Sequence, residues 1–103
     1  MAKGYWIARV DVADPEGYKE YTTLNAAAFK KYGARFLVRG GAFECLAGSS
    51  RARNVVIEFD SVEQARACYT SPEYQLAAKA RDKYAAGLDV LIIEGYDGPQ
   101  PND

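Results

Sequence analysis

Residues Leu88 to Glu94 (LDVLIIE) constrain the fold more than any other stretch of the chain. Side chains of an extended strand alternate between two faces. Val90 and Ile92 therefore point one way, and Leu91 and Ile93 the other. Both sides are apolar, the pattern of a strand covered on both faces. A sheet built around this strand needs two covers.

The rest of the chain supplies one of them. Tyr5 to Val12 (YWIARVDV) is rich in aromatic and β-branched residues and reads as a strand. Asp14-Pro15-Glu16 is a helix start, with Asp14 capping free amides, Pro15 at the first helical position and Glu16 at the positive end of the dipole. That helix runs to about Tyr32, where Gly33 ends it. Its inward stripe is Tyr18, Tyr21, Asn25, Ala28 and Tyr32. Ala34 to Leu46 is expected to be a second strand, bent or bulged at Gly40-Gly41, with a turn at 47–52 and a third strand over Arg53 to Phe59.

Ser61-Val62-Glu63-Gln64 fits a capping box that opens a second helix. Ser71-Pro72-Glu73 repeats the start signal and predicts a break there. A new helical segment follows from Pro72 to about Ala86, with Gly87 as its stop before the last strand. The order strand, helix, strand, strand, helix, strand gives two βαβ units. Right-handed crossovers turn them into the α+β, ferredoxin-like βαβ-βαβ arrangement: a four-stranded antiparallel sheet with both helices on one face. The simplest cover for the bare face is a second copy of the chain, so a homodimer is expected.

The chain has 103 residues, the size of one domain, expected over 1–95 with a mobile tail at 96–103. Its net charge of -1 and scattered lysines and arginines give no case for nucleic acid. No apolar run approaches a membrane span, and two cysteines without a secretion signal point to the cytoplasm. The chain contains no histidine, which removes a Ser-His-Asp or Cys-His pair and a His-ligated haem. Cys45 and Cys68 form no paired motif, so neither a metal nor a cofactor is expected.

Four segments in order carry a resemblance: Phe36-Leu37-Val38-Arg39-Gly40-Gly41, Val55 to Ser61 (VVIEFDS), Tyr69 to Gln75 (YTSPEYQ) and Ile93-Glu94-Gly95. Together they resemble the domain of unknown function 1330 family, across Gly4 to Gly95. The resemblance implies membership of the dimeric α+β barrel superfamily, in which two ferredoxin-like sheets meet face to face. Relatives there include cofactor-less monooxygenases of the antibiotic-biosynthesis type, lactone isomerases and haem-dependent chlorite dismutases. The last group fits poorly with a chain that lacks histidine.

Candidate site residues each carry a functional and a structural reading. Asn25 sits among tyrosines on the inward stripe, where a buried amide needs a neighbour, a water or a ligand. Arg39 and Glu58 lie on the two central strands, either as an ion pair or as an oxyanion holder and a general base. Ser71 reads as an N-cap whose free amides could receive an anion. Tyr74 and Arg81 share a helical face, and Tyr69 precedes the break; all three line a cleft or pack an interface. Cys68 reads as a small buried residue. Two functions follow. One is a dimeric protein binding a small organic molecule between helices and sheet near these residues, with cofactor-less oxygenase- or isomerase-like chemistry as its concrete form. The other is a non-catalytic assembly or sensory module.

Overall fold

The computed structural model describes residues 2–102. The elements are β1 (Gly4–Val12), α1 (Pro15–Lys31), β2 (Arg35–Arg39), β3 (Arg53–Phe59), α2 (Val62–Thr70), α3 (Pro72–Tyr84) and β4 (Ala85–Glu94). The strands form one antiparallel sheet in the order β2-β3-β1-β4, the ferredoxin-like arrangement.

Local chemistry sets the helix boundaries. The Asp14 carboxylate accepts from the Gly17 amide at 3.2 Å, and Gly33 follows α1 at φ 70°, a left-handed conformation that glycine takes without a Cβ clash. Ser61 accepts from the Gln64 amide at 3.0 Å, but the capping box closes on one side only. The Gln64 side chain donates instead to the Tyr32 carbonyl at 3.2 Å, tying α2 to the end of α1. The break at Pro72 is real. Ser71 stands between α2 and α3, donates to the Cys68 carbonyl at 2.7 Å and accepts from the Tyr74 amide at 3.1 Å.

Three sequence expectations need correction. The second strand stops at Arg39 rather than Leu46, because Gly40 turns to φ 69° and residues 40–52 run on as an irregular arm. Phe43 and Leu46 stand exposed on that arm, the latter at 87%. The bulge lies not at Gly40-Gly41 but between Phe36 and Val38, with Leu37 the extra residue. Gly87 does not stop a helix. It lies inside β4, opposite Asp11, because α3 already ends at Tyr84.

Register sorts the side chains into rows. On the face beneath the helices, Phe36, Ile57, Trp6 and Ile92 form one row, and Arg39, Val55, Ala8 and Val90 the next. Trp6 is the hub of this core. Its ring lies 4.9–5.4 Å from those of Phe29, Phe59, Tyr69 and Tyr74, and its indole N–H donates to the Ala65 carbonyl at 2.9 Å. Such edge-on aromatic contacts add about 0.5–1.5 kcal/mol each beyond area burial. On the far face Val38, Val56, Ile7 and Leu91 form an apolar row across all four strands. Among the described residues no helix or strand covers it. Leu91 and Ile93 are 47% and 49% exposed in the single chain. Among the described residues no helix is long and apolar enough to cross a membrane.

Candidate functional site

The bulge at Leu37 decides which residues share a site. A one-residue insertion sends each following side chain to the opposite face. Arg35 pairs with Glu58 and points to the open face, whereas Arg39 pairs with Val55 and points under the helices. There its guanidinium lies 4.1 Å over the Phe36 ring. Arg53, two residues before Val55 on β3, faces the same way and lies against Gly40.

These arginines stand at the mouth of a cleft between the sheet and helices α1 and α3. Its walls are apolar, built from Ala8, Val10, Val55, Leu88 and Val90 among others. Counting its open mouth, the cleft holds about 500 Å³ of unfilled space, but only about 40 Å³ is wide enough to seat the centre of a water. It is a slot.

The inner end is polar. The Tyr21 and Tyr74 hydroxyls are hydrogen-bonded at 2.7 Å, and one Arg81 nitrogen donates to Tyr74 and Tyr69, each at 3.2 Å. Another Arg81 nitrogen donates to Asp82 at 2.9 Å. Burial works against the Arg81 charge, but Asp82 and the two hydroxyls outweigh it and hold the guanidinium protonated. Burial also pushes the tyrosines up: Tyr18 to about 12, with Tyr21 and Tyr74 raised as well. The Arg53 and Arg81 charges offset only part of the rise at Tyr18. At neutral pH the slot therefore contains phenols and guanidiniums, and no carboxylate lines it.

One group breaks this tidy accounting. Asn25 is 5% exposed on the α1 face that lines the slot, and its Oδ1 has no hydrogen-bond partner. A buried carbonyl left unpaired costs about 1–3 kcal/mol, so it needs a reason.

Of the residues singled out from sequence, the structure brings Asn25, Arg39, Tyr74 and Arg81 into one slot. Tyr69 stands behind it and bonds Arg81. Ser71 does not reach it; both sides of its hydroxyl serve the α2–α3 junction. Glu58 is on the wrong side of the sheet. It accepts from Tyr5 at 2.8 Å and from Arg35 at 2.9 Å, and those bonds hold its carboxyl below the usual range. The expected Arg39–Glu58 partnership is not formed, and a carboxylate so stabilised is a poor base. Cys68 is fully buried, with its thiol pushed up to about 12 by burial, as suits a packing residue.

Sequence reading missed Arg53, Tyr18 and Tyr21 as lining residues. Arg53 was findable, since it alternates with Val55, Ile57 and Phe59 on the inward face of its strand. Among the described residues no cluster of His, Cys, Asp or Glu has the makings of a metal site.

Solved structures share the fold at low identity. A protein of unknown function from Rhodopseudomonas palustris superposes with a TM-score of 0.73 at 17% identity, over 94% of this chain and 85% of that one. A dimeric protein of unknown function with a ferredoxin-like fold, from Bacteroides fragilis, gives 0.60 at 14% identity, over 89% and 95%. SnoaB, a cofactor-independent oxygenase from Streptomyces nogalater, gives 0.62 at 13% identity, over 98% and 99%. No curated protein matches the chain. Residues 3–96 match the family described as Domain of unknown function (DUF1330), and with nearly the whole chain inside that match, the protein belongs to this family.

Proposed function

We propose that the protein binds a small organic molecule in the slot between the sheet and helices α1 and α3. The observation that carries this reading is the unpartnered Asn25 Oδ1, buried at the polar end of the slot with Tyr21, Tyr74 and Arg81. An amide that served packing alone would have found a partner or been replaced by an apolar residue. A ligand that donates to Oδ1 recovers the cost of its burial.

Cofactor-independent oxygenase or isomerase chemistry is the finer form of the proposal. Its support is the fold shared with SnoaB together with an enclosed, guanidinium-rich slot. The slot has no group to take a proton at neutral pH, so a substrate reacting there arrives already ionised. The arginines would then stabilise the oxyanion. Glu58 has no part in this scheme.

The proposal includes a homodimer formed through the open sheet face. The apolar row of Val38, Val56, Ile7 and Leu91 and the dimeric Bacteroides fragilis relative support it.

A thermal-shift screen of aromatic acids, neutral amides and quinols tests the slot, because a ligand that prefers the native state raises its stability. Hits should raise the melting temperature of the native protein and leave Asn25→Leu unmoved. A screen without hits, or hits that shift both proteins equally, would reject the reading.

A further inference from the structure

We infer that the slot takes a planar hydroxy-carboxylate, its carboxylate held by Arg39 and Arg53 at the mouth and its hydroxyl donating to Asn25 Oδ1 at the inner end. The inference rests on the slot being a ligand site and adds the chemical class of the ligand.

Charge is the first argument. Among the described residues three arginines and no carboxylate line the slot. Arg81 is answered by Asp82 and two phenols. Arg39 and Arg53 form no ion pair among the described residues. The contrast with the other face of the same sheet is direct. There Arg35 bridges Glu58 and Asp60, Arg51 bridges Asp11 and Asp89, and Arg9, without an ion pair, donates to the Ser49 carbonyl at 3.2 Å. Two unanswered guanidiniums beside apolar walls repel each other and attract an anion. Their flat, forked donors match the two oxygens of a carboxylate.

Shape and polarity supply the rest. With only about 40 Å³ wide enough for the centre of a water, the slot excludes bulky molecules, and its Phe29, Phe36 and Tyr74 rings offer faces for a flat one. Its middle is aliphatic and aromatic, suited to a ring. Its inner end presents Asn25 Oδ1, which lacks a donor, beside the hydrogen-bonded Tyr21 and Tyr74 hydroxyls. The ligand must therefore bring a donor to that end. Anion, ring and hydroxyl are needed in that order from mouth to base.

Calorimetric titration with para-hydroxybenzoate, its neutral amide and benzoate tests this on the native protein. The acid should bind about ten- to a hundredfold more tightly than the amide, the range set by one charged hydrogen bond. Benzoate, which lacks the donor, should bind about tenfold more weakly than the hydroxy acid. Arg39→Gln and Arg53→Gln should each weaken the acid and leave the amide unchanged. Equal affinities for acid and amide, or acid binding indifferent to both substitutions, would overturn the anion assignment. So would no binding of either compound up to about 10 mM. Neutral quinols that still stabilise the native protein but not Asn25→Leu would then leave the slot as a ligand site and remove only the class proposed here.

Discussion

The two faces of the sheet handle polarity in opposite ways. On the open face Arg35 is paired with Glu58 and Asp60 and Arg51 with Asp11 and Asp89, while Arg9 donates to the Ser49 carbonyl at 3.2 Å. Between them lies an apolar row with nothing unsatisfied in it. On the covered face Arg39 and Arg53 have no carboxylate, and a buried amide oxygen has no donor. A face meant for a copy of itself should be complete in its charges and lacking only apolar cover. A face meant for a ligand should lack particular hydrogen bonds. On this contrast rest the proposed dimer on the open face and the proposed ligand site on the covered one.

The largest expected effect tests the open face. Leu91→Asp places a charge in the apolar row and should convert the assembly to a monomer. Sedimentation would then report the 11.3 kDa chain mass in place of twice that value. A native protein that already sediments as a folded monomer would break the comparison at once. Next in size is Arg81→Met, which keeps the packing but strips the donors from Tyr69 and Tyr74. Urea unfolding should show a loss of about 2 kcal/mol, and a loss near zero would mean the inner network contributes little.

Asn25→Leu should move the other way. It removes an unpaired oxygen without emptying the site and should stabilise the free protein by about 1 kcal/mol, or roughly 4–8 °C in melting temperature. A destabilised variant would show that Asn25 serves the fold. Stability gained at the expense of binding is the pattern expected of a functional residue.

The smallest effects are in pH dependence, and the faces differ in sign. On the covered side burial holds the protons of Tyr18 and Cys68 up to about 12, against ordinary values of 10.0 and 9.0. Their contribution is complete below the unfolded values and is lost as pH rises toward 12. On the open side the Ala52 amide and Arg51 hold Asp11 low, and Tyr5 and Arg35 hold Glu58 low, from 3.8 and 4.5 respectively. Their contribution is present above those values and fades as pH falls through the depressed ones. Tyr18→Phe should flatten the alkaline limb of a urea-midpoint profile alone, and Arg35→Gln the acid limb alone. Crossed effects would show that the faces are coupled.

Much of the architecture was legible because it is written in local chemistry. The Asp14 cap, the Ser71-Pro72 break and the Gly33 stop each act within a turn of chain, and each stands where its residues predict. Tyr18, Tyr21, Asn25 and Ala28 of the expected α1 stripe are buried, but Tyr32, which caps the helix, is only half-buried, and Phe29 takes the place expected for it. The site was legible only in part. Arg39, Tyr74 and Arg81 were recognised as candidates, but Glu58 was joined to Arg39 because nothing local marks Leu37 as a bulge. Gly40-Gly41 advertised irregularity and drew the bulge three residues too far along.

By itself the sequence determined the order of elements, the two-sided apolar last strand and the lack of any imidazole chemistry. Each depends on residue type and on periods of two or 3.6 residues. Only the tertiary structure decided which arginine faces the helices and which faces the open side. That choice follows from pairing register between distant strands, where one extra residue exchanges the faces and leaves composition and spacing unchanged.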